Sequence, residues 1–368
     1  MIDTKYENSV VLAAYLAGCA VRNQKPDTDK LKGIDLSFLF TASERHLLSA
    51  AVAVALRSAG VIDENFIQAE AKAKRKNALL DSDRHELAKH LDDLGIWYMP
   101  LKGSVLKDIY PVYGMRQMSD NDILVDPSRE ADVRRVMEAL GFDVVSYGRG
   151  NHDIYHKQPV SNIEIHTSLF GPSSGKKIYE YYTNVEEKLI PVTGFEKKFS
   201  DEDFYLYMIA HKYKHYANSG TGLRSLLDVY VFLRTHENDM EEDYIESELK
   251  KLGLDLFEKE NRDLAFHLFD GKQLTEKENE ILSYMMMSGT YGTQTNFVKN
   301  QINRKGRIGY LFSRVFLPYN LMLYQYPVLD RAPFLLPVFW IVRIVRAVIE
   351  KPGKVLFQLK PAFRLKNG

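Results

Sequence analysis

The chain has 368 residues, 45% of them hydrophobic, and its 49 basic and 49 acidic side chains cancel to a formal net charge of zero. That length suits two or three domains, the apolar content excludes a disordered chain, and the lone Cys19 excludes an intramolecular disulfide framework and suits a reducing cytoplasm. The charge is uneven: from Lys299 to Gly368 there are 13 Lys and Arg against Asp330 and Glu350 alone, an asymmetry that concerns partners rather than fold.

Met1 to Glu7 lacks the basic region and apolar core of a secretory signal. Residues 8–24 read as a helix ended by Asn23 and Pro26. Thr41 opens an Ala/Leu/Val-rich helix that runs to Ala59, with Gly60 as its C-cap. A longer helical pattern, rich in Ala, Lys, Leu and Glu, extends from about 64 to 94 and stops at Gly95. This first third carries no chemistry and is expected to pack against a sheet.

From 96 to about 167 the period changes. Strands are predicted at 97–101, 122–125, 142–145, 152–156 and 162–166, and helices at 104–110 and 127–140, the latter ended by Gly141. Such an order predicts a small mixed sheet with helices on one face. A transitional stretch at 168–200 contains the loop Gly171-Pro172-Ser173-Ser174-Gly175. Helices return at 201–217, 223–236, 241–252, 255–269 and 275–288, where Thr275 and Glu278 have capping-box spacing.

The chemistry concentrates between Leu101 and Val125. Gly103 lets backbone approach a ligand closely, and Ser104 is placed to cap the following helix, whose N-terminus would suit phosphate. Asp120 and Asp122 are two apart at the entry to an Ile-Leu-Val strand, so both project to one face and repel unless a cation neutralises them. Hard divalent cations such as Mg²⁺ are typically held by one or two carboxylates together with substrate phosphates.

Gly103-Ser104 followed by Asp120-Asn121-Asp122-Ile123 resembles the Gly-Ser … Asp-x-Asp pattern of the DNA polymerase β-like nucleotidyltransferase superfamily. More closely, Leu101-Lys102-Gly103, Tyr110-Pro111, Gly114-Met115-Arg116 and Asp120 to Val125 resemble an uncharacterised bacterial nucleotidyltransferase family found beside surface-polysaccharide genes. The resemblance continues at His211 to His215 and Gly222 to Asp228, and implies a third carboxylate on a later strand, for which Glu164 in Ile163-Glu164-Ile165-His166 is the matching position. It implies an α+β fold with a polymerase-β-like core flanked by helical N- and C-terminal regions. The expected division is a helical region at 1–95, the core at 96–200, a helical pocket domain at 201–298 and a basic aromatic extension at 299–368.

The activity implied is transfer of a nucleotidyl group from an NTP, ATP foremost, to a hydroxyl or other nucleophile of a small molecule, sugar or protein. Asp120, Asp122 and Glu164 would hold Mg²⁺ or Mn²⁺ in a two-metal displacement. A catalytically silent nucleotidyltransferase fold used for binding or regulation is the alternative. Lys102 and Arg116 are candidates for countering triphosphate charge, with a surface lysine and a salt bridge from Arg116 to Asp120 or Asp122 as the competing structural readings. His211 and His215 share a helix face at i, i+4, which suits either a cleft wall near Lys212 and Lys214 or satisfied core histidines, and less well a zinc site. Arg224 and Asp228, also i, i+4, read as an intrahelical ion pair or as part of the pocket, and His166 as a residue that orients Glu164 or contacts substrate.

The C-terminal segment holds an uncharged run from Ala332 to Val342, too short to span a bilayer, interrupted afterwards by Arg343 and Arg346. Two readings stay open, an interfacial helix on a membrane surface and a helix packed on its own protein. Nucleic acid is not the expected partner. The expected location is the cytoplasm, with peripheral contact at the inner membrane face.

Overall fold

The computed structural model describes residues 4–148, 150–236, 239–350, 352, 353 and 356. Alanine and glycine on α1 (Thr4–Val21) and alanine on α3 (Ser49–Ser58) let those backbones approach closely, while α2 (Leu36–Arg45) between them in the chain carries larger side chains. The Thr41–Ala59 stretch is two helices rather than one, because Leu47 takes a positive φ of 54° and turns the chain between α2 and α3. Asp63 caps α4 (Glu64–Asp93) by accepting from Asn65 and Phe66.

The central segment runs β1 (Tyr98–Pro100), α5 (Gly103–Leu106), β2 (Asn121–Val125), α6 (Glu130–Ala139), β3 (Asp143–Ser146), β4 (His152–Lys157) and β5 (Ser161–His166). After α7 (Lys176–Tyr181), β6 (Ile190–Pro191) and β7 (Lys197–Lys198) form a two-stranded ribbon joined to Tyr98 by a bridge at Glu196. The helices that follow are α8 (Asp201–Asn218), α9 (Arg224–His236), α10 (Glu242–Leu252), α11 (Asp255–Phe269) and α12 (Glu276–Ser288), whose capping box at Thr275 and Glu278 is formed. The remainder is α13 (Gln294–Val315), bent at Gly306, then α14 (Tyr319–Gln325) and α15 (Leu336–Glu350).

The five-stranded sheet has the order β1-β2-β5-β4-β3, with β2 and β5 parallel and the other pairs antiparallel. This is the expected α+β arrangement, a mixed sheet flanked by helical N- and C-terminal regions, as in polymerase-β-like nucleotidyltransferases. The expectation of helices on one face is corrected: both faces are covered. Ile123, Val125, Ile163 and Ile165 pack on Leu87 and Leu91 of α4 and Val133 and Met137 of α6. Met99, Leu101 and Leu124 pack with residues of α8, α9 and α10. Of the first helices, α4 meets the sheet, whereas α1–α3 share a core with α9, α11 and α12. Gly18 of α1 sits where a Cβ would collide with the Phe269 carbonyl, so only glycine permits that crossing.

Candidate active site

Strand alternation and register build the site. Asp122 of β2 lies directly beside Glu164 of β5, and Leu124 beside His166, while His152 of β4 pairs with His166. Registered neighbours project to the same face, so Asp122, Glu164, His166 and His152 form one polar patch on the face turned toward α8. Asn121 points the other way: it is fully buried, donates from Nδ2 to the Leu80 carbonyl at 2.7 Å and accepts from Ser104 Oγ at 3.1 Å. That polar clamp ties the start of β2 to α4.

The patch opens onto a cleft of about 360 Å³ between the sheet and α8–α9. Lys102, Arg116, Asp120, Asp122, Glu164, His211, His215, Arg224 and Asp228 all line it. Gly103 and Ser104 do not. A Cβ at Gly103 would meet the Arg116 guanidinium and the Met118 sulfur, so this glycine makes room for protein rather than for a ligand. Ser104 lies inside α5, not at its N-cap, and its hydroxyl serves Asn121. The helix expected at 104–110 is one turn of α-helix followed by a 3₁₀ turn at Lys107–Ile109, too short for a strong N-terminal dipole.

The N-cap position belongs to Lys102, whose backbone is held at φ 45°, a conformation L-residues rarely adopt. That turn sends its ammonium to Asp122 Oδ1 at 2.9 Å, and the same oxygen lies 2.8 Å from His166 Nε2. Burial would raise the Asp122 pKa, but Lys102 and His166 outweigh it and hold this carboxyl well below the usual carboxylate range. Burial pushes His166 down to about 4, so at neutral pH its imidazole is uncharged and Nε2–H donates to Asp122.

The neighbouring carboxyls move the other way. Burial, then the charges of Asp122 and Asp120, raise Glu164 to about 7, and burial with Asp122 raises Asp120. Two carboxyls that resist ionising beside a third that is ionised, together in a cleft, mark a candidate functional site. The donor chemistry fits a divalent cation. Among the described residues, His152, Glu164 and His166 also place one donor atom each within 4.8 Å of one another. Asp120 stands outside that trio, on the loop before β2, and closes the patch from the strand's entry.

The cationic wall is sorted by the fold. Arg116 makes a buried bidentate pair with Asp228, Nε to Oδ1 at 2.7 Å and Nη2 to Oδ2 at 2.9 Å, and Tyr110 donates to the same carboxylate at 2.8 Å. The expected pairs of Arg116 with Asp120 or Asp122, and of Arg224 with Asp228, are therefore replaced by Arg116–Asp228 across 112 residues of sequence. Arg224 instead donates to the Gln117 carbonyl at 3.0 Å and to Ser119 Oγ at 3.2 Å, on the segment leading into Asp120. His211 and His215 touch each other through Nε2 atoms 3.1 Å apart; desolvation, then nearby lysine charge, lowers both pKa values.

Two participants were not among the expected site residues. His152 reaches the patch only through strand pairing, and Tyr291, hydrogen-bonded to Ser119 at 2.9 Å, arrives from beyond α12. Lys212 is buried, lines the cleft, and its Nζ has no hydrogen-bond partner among the described residues. Its neighbourhood was legible as a basic helix face; its burial was not.

No curated protein and no solved structure matches the chain. A family model described as "Uncharacterised nucleotidyltransferase" matches residues 32–270, which is more than half of the chain and holds the whole carboxylate patch and both walls of the cleft formed by α8 and α9. With the mixed sheet and its paired carboxylates, that match places the chain in an uncharacterised nucleotidyltransferase family of the polymerase-β superfamily.

Proposed function

We propose that the protein transfers a nucleotidyl group from an NTP, ATP foremost, to a hydroxyl or other nucleophile of a small-molecule, sugar or protein acceptor. The observation that carries this reading is the parallel register of Asp122 with Glu164, which sets two carboxylates from distant sequence beside Asp120 at the floor of a cation-lined cleft. The acceptor oxygen would give up its proton to solvent and attack the α-phosphorus, the bond to the αβ-bridging oxygen would break, and pyrophosphate would leave with the electron pair. Asp120, Asp122 and Glu164 would hold Mg²⁺ or Mn²⁺, whose charge would neutralise charge developing on the phosphate and acidify the acceptor hydroxyl. Lys212 and Arg224, on the helical wall, would meet the triphosphate from the other side, and Lys102 would meet it from beside Asp122. Arg116, committed to Asp228, would act as the wall that keeps them in place. The imidazole of His152 beside Glu164 favours Mn²⁺ over Mg²⁺, since borderline cations accept nitrogen donors more readily.

A second reading, a catalytically silent module that binds nucleotide, is favoured by Lys102, whose ammonium already sits on Asp122 where a cation would lie. Calorimetry of ATP and the other NTPs, with Mg²⁺ and with Mn²⁺, on the wild type and on Asp120→Asn/Asp122→Asn separates the two. Metal-dependent binding that weakens at least tenfold in the variant supports transfer and identifies the donor base. Nucleotide binding that is equal in both proteins and indifferent to metal supports the silent module, and binding of no NTP overturns both.

A further inference from the structure

We propose that α15, with the second half of α13, seats the protein in the plane of a bilayer surface rich in anionic phospholipid. This lies beyond the nucleotide chemistry and does not depend on it. One side of α15 is fixed to its own protein: Trp340 donates to the Leu317 carbonyl at 2.8 Å, Arg343 donates to the Val315 carbonyl at 3.1 Å, and the Phe339 ring lies 4.8 Å from that of Tyr326. The other side is apolar and, among the described residues, uncovered. Val338, Ile341, Val342, Val345, Val348 and Ile349 fall on a helical arc of roughly 120°, and every one is exposed. No residue of α15 is buried. On α13 the same pattern recurs one helix away, with Ile308 and Phe312 at 84% and 62% exposure.

An apolar face of this extent on a soluble surface calls for an occupant, and charge decides which. Of the residues from Lys299 onward, 13 are Lys or Arg and two are acidic. A second copy of the chain would bring a second basic surface against the first. Anionic headgroups above an acyl boundary accept both the bases and the apolar stripe. The helix has 15 residues, about 22 Å of rise against a hydrocarbon core of about 30 Å. Among the described residues no helix is long and apolar enough to cross a membrane. An in-plane seat is the geometry left.

The test is flotation of the full chain with vesicles of 70:30 phosphatidylcholine and phosphatidylglycerol, with vesicles of phosphatidylcholine alone, and at 0.1 and 0.5 M salt. The wild type is expected to partition at least tenfold better onto the anionic vesicles, and salt is expected to weaken that binding. Ile341→Asp/Val345→Asp, whose side chains are exposed and outside the cleft, is expected to lose it at least tenfold while binding NTP as the wild type does. Arg331→Glu/Arg346→Glu should lose it without altering the apolar stripe. Equal binding to both vesicle types, no binding to either, or retention by Ile341→Asp/Val345→Asp overturns the proposal. So does a concentration-dependent dimer in sedimentation that the aspartates abolish in the absence of vesicles, since the face would then be an interface between copies. Because NTP binding is read separately, failure here leaves the nucleotidyl-transfer reading untouched.

Discussion

Lys212 shows how much a single side chain can hold in reserve. Its ammonium is buried without a hydrogen-bond partner among the described residues, and burial pushes its pKa down to about 7 against the pull of Asp228. A lysine depressed in the folded state costs stability at any pH below its ordinary value of 10.5, fully so below about 7. A triphosphate in the cleft would remove that cost by supplying the missing negative charge. Lys212→Met keeps most of the apolar stem and should raise stability at pH 7 by about 1–3 kcal/mol while weakening NTP binding roughly tenfold. Urea unfolding and calorimetry on the same pair of proteins check both halves. A variant that is less stable and binds normally would make Lys212 purely structural. The lysine itself is plain in the sequence, between two histidines four apart, but nothing local distinguishes it from Lys214, which lies half-buried near the Phe170 ring.

At the scale of elements, the Arg116–Asp228 pair joins the segment before β2 to α9, and the whole cleft is hung on that connection. Asp228→Ala would strand a buried guanidinium and should cost about 3–5 kcal/mol. Arg116→Met/Asp228→Leu removes both charges and should recover a substantial part of that loss. A double-mutant cycle by denaturant unfolding measures the coupling; additive costs would mean that the two side chains act independently. Helical periodicity and the i, i+4 spacing led to the wrong partner for Asp228, Arg224 on its own helix, because spacing reports who shares a face and not who arrives from elsewhere. The same limit explains the split of Thr41–Ala59. An Ala-rich run reads as continuous helix, and the turn at Leu47 is imposed by packing with no glycine or proline to announce it. Where the signal is local it held: the Thr275/Glu278 capping box was visible in the sequence and is formed.

Across the molecule, His46 ties three elements together. Leu223 N–H at the start of α9 donates to its Nδ1 at 3.4 Å, so the proton sits on Nε2 and faces the Tyr6 hydroxyl of α1 at 3.1 Å, while His46 itself ends α2. Burial, then Arg45, pushes its pKa from 6.5 to about 4. The unfolded chain therefore takes up this proton first as pH falls, so the stability His46 contributes is whole above pH 6.5 and is lost toward pH 4. Between pH 6.5 and 5 that loss is about 2 kcal/mol, at about 1.4 kcal/mol per pH unit. The fall in stability across that window should be smaller by this amount in His46→Gln, measured by urea titration at each pH. Identical slopes would mean that His46 titrates in the folded protein as it does in the unfolded chain. The family match ends at residue 270, before α12, Tyr291 and the basic helices. Tyr291 at the cleft's rim and the surface proposed to meet lipid therefore lie outside the matched residues.

The sequence by itself determined the α+β class, the strands at the centre, most helices, the close spacing of Asp120 and Asp122, and the basic bias of the last seventy residues, whereas Glu164 entered only through the family resemblance. These follow from composition, from periods of two and 3.6, and from motifs whose members lie within a few dozen residues. Only the tertiary structure decided that Glu164 stands beside Asp122, that His152 joins them, that Lys102 rests on Asp122 and that Asp228 belongs to Arg116. The physical reason is common to all four. Strand register and buried ion pairs are set by which surfaces close over one another, and a side chain's charge, burial and partner are properties of that closure rather than of its neighbours along the chain.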